Sequence, residues 1–316
     1  MITLSDIRSA YGRIAPAIHR TPVFSSATLA SRAGVSSVEL KCESLQKTGS
    51  FKVRGALNAL SQLDAAARAR GVVTVSAGNH AAALAWASRA AGVACTVVMP
   101  ATASPTKVAA SAGYGATVIQ HGTSMDAFAR ARELAERDGM TFVHPFDADA
   151  IIAGTGTVSL EIFEQTAAPD VVVIPIGGGG LIAGMAIGIK ELSPSTKVIG
   201  VEPTGAAAMR ASIDAGHAMR LASVQSLADG LAAPMAGERN YAAVARYVDD
   251  VVLVSDDEIA EAMSVLLSRC KLLAEGAGAA ATAALLCGRV PVRATDRVVV
   301  MLSGGNVDVE RLKAVL

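Results

Sequence analysis

The chain has 316 residues, 52% of them hydrophobic, which is enough to bury one large core or two ordinary ones. Lys plus Arg and Asp plus Glu both number 28, so no charge excess marks a nucleic acid or an anionic membrane as partner, and the single Trp among few aromatics offers no platform for bases. No run reaches the roughly 18 uninterrupted apolar residues of a membrane span, and residues 1–6 hold no basic segment leading into an apolar one, which predicts a cytoplasmic protein.

In chain order, the pattern predicts a helix over residues 4–18 with Ser5 as N-cap, ended by Thr21-Pro22. Residues 38–43 alternate as a strand. Residues 44–56 then place Lys52 between the apolar Phe51 and Val53 in a glycine-bounded segment. Burial there and the second cation Arg54 both predict a lowered lysine pKa, the condition for acting as nucleophile or base. A helix over 56–67 closes at Gly71. Strand-then-helix units follow, the grammar of a parallel sheet covered on both faces. The strands are 72–75, 94–99 and 117–120, the helices 81–91, 104–111 and 124–137, and a turn at 76–80 follows the first strand. Residues 141–146 lead into 150–157, read as a turn opening a helix to about Gln165.

The second half repeats the grammar with strands 171–176 and 197–201 around a helix 181–192. An irregular stretch 202–247, a helix 256–273, a glycine-rich turn 275–278, another helix and a strand 297–302 complete it, the strand ending in the turn Ser303-Gly304-Gly305-Asn306. No short-period repeat or low-complexity linker separates domains, so two domains would be interleaved. Cys42, Cys95, Cys270 and Cys287 stand far apart without a CxxC pair, which excludes a zinc or redox motif and assigns them to the core.

The strongest local signal is the strand 171–176 running into Gly177-Gly178-Gly179-Gly180 and then a helix. Without side chains, successive N–H groups can line a concavity made more positive by the helix N-terminus, which suits a phosphate. A structural turn rarely needs four glycines, given their unfolded-state entropy. No Lys-Ser/Thr follows, so the run is no Walker A loop. It fits G-x-G-x-x-A at Gly178, Gly180 and Ala183, with Glu202 where a dinucleotide site wants an acid for the ribose, so an NAD(P)-dependent oxidoreductase is one alternative. That alternative gives no role to Lys52, to the 76–80 turn or to Ser303-Gly304-Gly305-Asn306, although all lie at strand ends or helix starts, which converge on one crevice in an open parallel sheet. A phosphate cradle, an activatable lysine and a hydroxyl in one crevice match the needs of pyridoxal phosphate: an anion site, a Schiff-base partner and a group for the ring nitrogen.

Ser50-Phe51-Lys52-Val53-Arg54-Gly55-Ala56, Ser76-Ala77-Gly78-Asn79-His80, glycines 177–180 and Ser303-Gly304-Gly305-Asn306 resemble, in order, the motifs of fold type II pyridoxal phosphate enzymes. The branch they resemble is that of the threonine and serine dehydratases (ammonia-lyases), related to serine racemase; His144-Pro145-Phe146-Asp147 and Glu275-Gly276-Ala277-Gly278 resemble the dehydratases too. The resemblance covers essentially the whole chain. It implies an α/β fold of two open, mostly parallel twisted sheets covered by helices, tryptophan synthase β-like, with the cofactor in the cleft between domains. A large cofactor-binding domain (1–65 and 147–316) would carry an inserted small domain (66–146) that binds the substrate carboxylate.

The resemblance further implies Lys52 as the Schiff-base lysine, Phe51 packed by the cofactor, and Asn79 hydrogen-bonded to the ring oxygen. Gly177, Gly178, Gly179 and Gly180, with Leu181, would hold the phosphate through N–H groups, and Ser303 would face the pyridine nitrogen. Ser76, Ala77, Gly78, Asn79 and His80 would bind the substrate carboxylate. Taken singly, Asn79 also suits a left-handed turn and Ser303 a helix N-cap. A homodimer is implied as well.

The implied reaction is β-elimination from a β-hydroxy amino acid, by default L-threonine or L-serine, to a 2-oxo acid and ammonia. A serine at the ring nitrogen, in place of an acid, makes a milder electron sink and favours loss of the β-substituent. Lys52, displaced by the substrate amine, would take the Cα proton. Thr155, where many relatives have glutamine, and the divergent 206–239 stretch leave 3-hydroxyaspartate, phenylserine or a compatible-solute degradation intermediate open as substrates. An amino-acid racemase is the nearest alternative, but racemases resembling this chain carry a serine hydroxyl at the place of Ala77, and alanine transfers no proton. Relatives that bind a divalent cation use Glu-x-x-x-x-x-Asp; here Glu202 is followed by Ala208 in the second place, so no metal site is expected. The chain ends soon after the Ser303 motif, which leaves no room for a regulatory domain and predicts no control by isoleucine.

Overall fold

A computed structural model describes residues 1–315; Leu316, the last residue of the larger predicted domain, lies outside the described residues. The strands are β1 (Val23–Ser25), β2 (Ser37–Cys42), β3 (Val72–Val75), β4 (Cys95–Met99), β5 (Thr117–Gln120), β6 (Thr141–Phe142), β7 (Val171–Pro175), β8 (Lys197–Pro203), β9 (Asp250–Val254) and β10 (Arg297–Leu302). Six build one sheet in the order β1-β2-β10-β7-β8-β9, and four build another in the order β5-β4-β3-β6. Every pairing is parallel except that of β1 with β2. The expected α/β class, two mostly parallel sheets covered by helices, is the fold observed. The smaller sheet draws only on residues 72–142.

The valine-rich runs form strands buried on both faces. Val171 and Val173 pack into one core of the larger sheet while Val172 and Ile174 pack into the other, and Val298 and Val300 alternate with Val299 and Met301 in the same way. Val72 and Val97 face one core of the smaller sheet, Val73 and Val98 its opposite face. Parallel register brings the carboxyl ends of neighbouring strands to one edge: Leu302 pairs with Cys42, and Pro175 with Val201. The chain therefore leaves the larger sheet there at Glu43, Ser303 and Ile176, where ligands of open α/β sheets bind.

Several expected elements differ. The first helix, Leu4–Ile14, is capped by Thr3 rather than Ser5, because Thr3 and Asp6 form a reciprocal capping box. Residues 150–157 are not a turn; they lie inside the helix Asp149–Gln165. A Cβ on Gly154 would meet the Arg54 carbonyl at 2.6 Å and one on Gly156 the Gly184 carbonyl at 2.8 Å, so these glycines let three helices approach closely. Residues 275–278 likewise open the helix Gly276–Leu286, with Glu275 at its N-cap. The stretch 202–247 contains the helices Ala208–Ala215 and Glu238–Tyr247, and β9 follows it. The predicted helix 256–273 stops at Val265, continues as a wider turn over Leu266–Cys270 and ends at Lys271, which has φ 60°. Cys42 and Cys95 are buried as expected, whereas Cys270 and Cys287 are only partly so. Among the described residues no helix is long and apolar enough to cross a membrane.

Candidate active site

After β2 the chain makes two short 3-10 turns and enters the helix Lys52–Ser61, of which Lys52 is the first residue. Lys52 Nζ donates to the Pro145 carbonyl at 3.0 Å and lies 5.1 Å from the centre of the Phe51 ring. Burial pushes the Lys52 amine down to about 8, and the Glu275 carboxylate pulls it only partly back. Such an amine keeps a useful neutral fraction near pH 7.

Arg54 is not part of that effect, contrary to the sequence reading. Residues two apart on a helix point to different sides. The Arg54 guanidinium is fully buried and donates to Glu43 through Nε (2.8 Å) and Nη2 (2.7 Å), and to Glu161 through Nη1 (2.7 Å). Lys41, also buried, joins the same cluster through Glu161 at 2.6 Å. The cluster anchors the helix that carries Lys52 from behind.

The glycine run links β7 to the helix Gly180–Leu192. Its carbonyls are held: Gly178 O accepts from Asn240 Nδ2 at 2.8 Å and from the Gly237 N–H at 3.1 Å, and Gly180 O accepts from Thr155 Oγ1 at 2.9 Å. Its amides are not: among the described residues no acceptor takes the N–H of Gly177, Gly178, Gly179, Gly180 or Leu181. Gly179 has φ +96°, and a Cβ on Gly178 would meet the Phe146 ring at 2.5 Å. A rigid loop with unpaired, largely buried N–H donors at a helix N-terminus is the donor set for a phosphate, so these residues fit the phosphate of pyridoxal phosphate. Thr155 is buried behind that loop, bonded to Gly180 O, rather than in an open side-chain pocket.

Asn79 follows β3 and is the first residue of the helix Asn79–Ala91, not a left-handed turn residue. Its Nδ2 donates to Glu275 Oε1 at 2.5 Å, and its Oδ1 accepts from Asn306 Nδ2 at 2.8 Å. Ser303 follows β10 and is no N-cap; the buried hydroxyl donates to the Ala277 carbonyl at 3.2 Å, and the Ser303 carbonyl accepts from the Phe51 N–H at 3.1 Å. Ser50 pairs with Gly304, so the Lys52 and Ser303 loops are stitched together. In the 76–80 turn Gly78 is exposed and Ser76, Ala77 and Asn79 are half-buried, but His80 is buried. Burial, with Lys52 and His144 nearby, pushes His80 down to about 3, which keeps it neutral.

Three contributors were not assigned roles from sequence. The Glu275 carboxyl is buried against Asn79, and burial pushes it up to about 7 while the Asn79 hydrogen bond opposes. The only signal was a lone acid opening a helix of small apolar residues. Pro145 and Phe146 reach the site through the loop after β6, whose His144 Nδ1 accepts from the Phe146 and Asp147 N–H groups. Asn240 comes from the helix hidden in the irregular stretch. Glu202 lies elsewhere: its two carboxylate oxygens accept from the Met209 and Arg210 N–H groups at 2.8 Å each, capping the helix Ala208–Ala215. Among the described residues no group of three His, Cys, Asp or Glu side chains could hold a metal ion.

A family model described as pyridoxal-phosphate dependent enzyme matches residues 14–304. The L-threonine ammonia-lyase of Thermotoga maritima is 42% identical over 317 residues, covering 100% of this chain and 78% of the relative. Among solved structures, maize serine racemase matches with a TM-score of 0.94 at 37% identity, covering 99% of this chain and 96% of that one. The threonine deaminase of T.th. matches with a TM-score of 0.91 at 40% identity, covering 97% of this chain and 99% of that one.

Proposed function

Because the chain belongs to the family of pyridoxal-phosphate dependent enzymes, we propose that it converts a β-hydroxy amino acid, L-threonine or L-serine, into a 2-oxo acid and ammonia. The observation that carries this reading is the gathering, at neighbouring strand ends, of a lysine with a lowered pKa and a loop of unpaired amides. Pyridoxal phosphate, when bound, supplies an aldehyde that condenses with amines and a ring that draws electrons from the α-carbon.

The chain's own residues then have separable tasks. The N–H groups of Gly177–Gly180 and Leu181 hold the phosphate, Asn79 donates to the ring oxygen, the Ser303 hydroxyl meets the ring nitrogen, and Phe51 packs alongside. Lys52 is the covalent anchor; displaced by the substrate amine, its Nζ takes the α-proton. The accessible turn Ser76-Ala77-Gly78 and the free N–H groups opening the helix Asn79–Ala91, His80 included, receive the substrate carboxylate. Water leaves from Cα and Cβ, and a second water then replaces nitrogen with oxygen, so the net products are the 2-oxo acid and ammonia. Ala77 has no exchangeable proton, which supports elimination over racemisation.

The confinement of the smaller sheet to residues 72–142 supports 66–146 as the substrate-carboxylate domain and 1–65 with 147–316 as the cofactor domain. A cytoplasmic homodimer is part of the proposal on the family resemblance, and light scattering of the purified protein checks the dimer. The main test is a panel of β-hydroxy amino acids assayed for 2-oxo acid release by the protein loaded with pyridoxal phosphate. Release from L-threonine or L-serine, lost in Lys52→Ala together with the borohydride-sensitive yellow colour, is expected. A colourless protein that binds a dinucleotide instead overturns the reading.

A further inference from the structure

Asn79 is gripped by side chains from two other segments, and the direction of those hydrogen bonds is fixed at one end by the backbone. Asn306 presents one amide atom to the Thr48 carbonyl oxygen at 2.7 Å. A carbonyl only accepts, so that atom is Nδ2. The same nitrogen donates to Asn79 at 2.8 Å, so the Asn79 atom facing it is Oδ1. Asn79 Nδ2 then faces the buried Glu275 Oε1 at 2.5 Å and uses one of its two N–H groups there. The loops that carry these partners interlock: the Gly305 N–H donates to Gly49 O at 2.9 Å, and a Cβ on Gly304 would collide with the Glu275 carboxyl.

We propose that Asn306 and Glu275 are positioning residues that set which way round the Asn79 carboxamide sits, so that its second N–H, and not its carbonyl oxygen, faces the crevice. The inference rests on the proposed function, in which Asn79 meets the ring oxygen of pyridoxal phosphate. That oxygen is acidic, so a reversed amide would set oxygen against oxygen. Burial raises Glu275 to about 7, and Asp229, Lys107 and Lys52 are the other charges that bear on it. Protonated or not, its carboxyl keeps an oxygen that accepts from Asn79.

Asn306 is exposed on its turn, so it can be replaced without touching the core. Asn306→Ala deletes both contacts, whereas Asn306→Asp keeps the size but puts an acceptor against two acceptors. The dissociation constant of pyridoxal phosphate and the visible absorption maximum of the bound form are measured for each, with the melting midpoint of the apoprotein. Asn306→Asp is expected to bind at least about tenfold more weakly than wild type, and more weakly than Asn306→Ala, with a shifted maximum. In an Asn79→Ala background Asp and Ala at 306 give equal affinities, and Glu275→Gln, which keeps a carbonyl oxygen, retains more affinity than Glu275→Leu. A space-filling Asn306 gives the opposite order, with Asp close to wild type and Ala worst, and that order overturns the proposal. A gap between Asp and Ala that survives loss of the Asn79 amide also overturns it. A wild-type chain that takes up no pyridoxal phosphate overturns the functional reading instead. The grip on Asn79 is then judged on the apoprotein alone, where Asn306→Asp must melt below Asn306→Ala and equal midpoints overturn it.

Discussion

Lys52 Nζ rests on the Pro145 carbonyl oxygen at 3.0 Å, so the helix after β2 of the larger sheet reaches the loop after β6 of the smaller one through a single neutral acceptor. A carbonyl orients an amine without supplying a counter-charge. Burial therefore dominates, and the Lys52 amine is held near 8.

The rate at which the apoprotein forms its yellow adduct with pyridoxal phosphate should rise with pH and level off above about 8, whereas a lysine at the ordinary value of 10.5 would keep gaining rate beyond that. Stopped-flow absorbance reads this directly. The same shift touches stability. The folded value is the lower one, so between about 8 and 10.5 the unfolded chain binds the extra proton, and apoprotein stability should gain from Lys52 as pH rises through that window. Lys52→Met should lose that gain; an unchanged pH slope would show that Lys52 is not held near 8.

Behind Lys52, the buried cluster of Arg54, Glu43, Glu161 and Lys41 predicts a large cost for partial removal. Arg54→Met leaves two buried carboxylates against one lysine and should cost roughly 3–5 kcal/mol in urea unfolding. Arg54→Lys cannot reproduce the forked contacts to Glu43 and Glu161 and should rescue little. Burial by itself would raise the Glu43 carboxyl, but Arg54, with Thr21 and Lys41, holds it below the usual carboxylate range. A depressed carboxyl stabilises above its unfolded value and loses that contribution as pH falls through its folded one. Wild type should thus destabilise steeply below the ordinary glutamate value of 4.5.

What sequence could and could not reveal follows from these same residues. The bounds of β3, β5 and β10 match the expected 72–75, 117–120 and 297–302 because β-branched runs there meet glycine or polar breaks on both sides. The loops after those strands were visible for a similar reason: glycine, lysine and serine at strand ends break the apolar pattern. β9 was missed because it pairs only with β8 at the sheet edge and sits among charged residues. The glycines at 154 and 156 looked like a turn because close helix packing and tight turns ask for the same residue. Arg54 was read as a neighbour of Lys52 along the chain, and only the helix shows that the two side chains face apart. The grip of Asn306 and Glu275 on Asn79 joins residues far apart in sequence, which no local pattern encodes.

Glu202 gives a prediction with the opposite sign to Lys52. Burial pushes its carboxyl up to about 7, although the Met209 and Arg210 N–H groups favour the ionised form. Between 4.5 and about 7 the folded chain holds the extra proton, so stability should fall as pH rises across that window. Glu202→Gln lacks this term and should gain relative to wild type from pH 5 to pH 8 in paired melting curves, about the range set by the folded and unfolded values. With no second acid beside Glu202, millimolar magnesium should leave the wild-type midpoint unmoved. A magnesium-dependent rise lost in Glu202→Gln would reveal a cation site there.

Ala77 sits between β3 and the helix Asn79–Ala91, half-buried against the core of the smaller sheet. Its methyl group neither gives nor takes a proton, so Lys52 is the one base assigned to the α-carbon. Incubated with L-serine, the wild type should release pyruvate without forming D-serine. Ala77→Ser adds a hydroxyl where a second proton donor would stand and should produce measurable D-serine while pyruvate release falls. Chiral chromatography and a 2-oxo acid assay follow the two products from one reaction. D-serine formed by the wild type at a rate comparable to pyruvate would mean that another group serves the face away from Lys52. His80, buried close to Lys52 with Nε2 lacking a partner, is then the side chain to replace next.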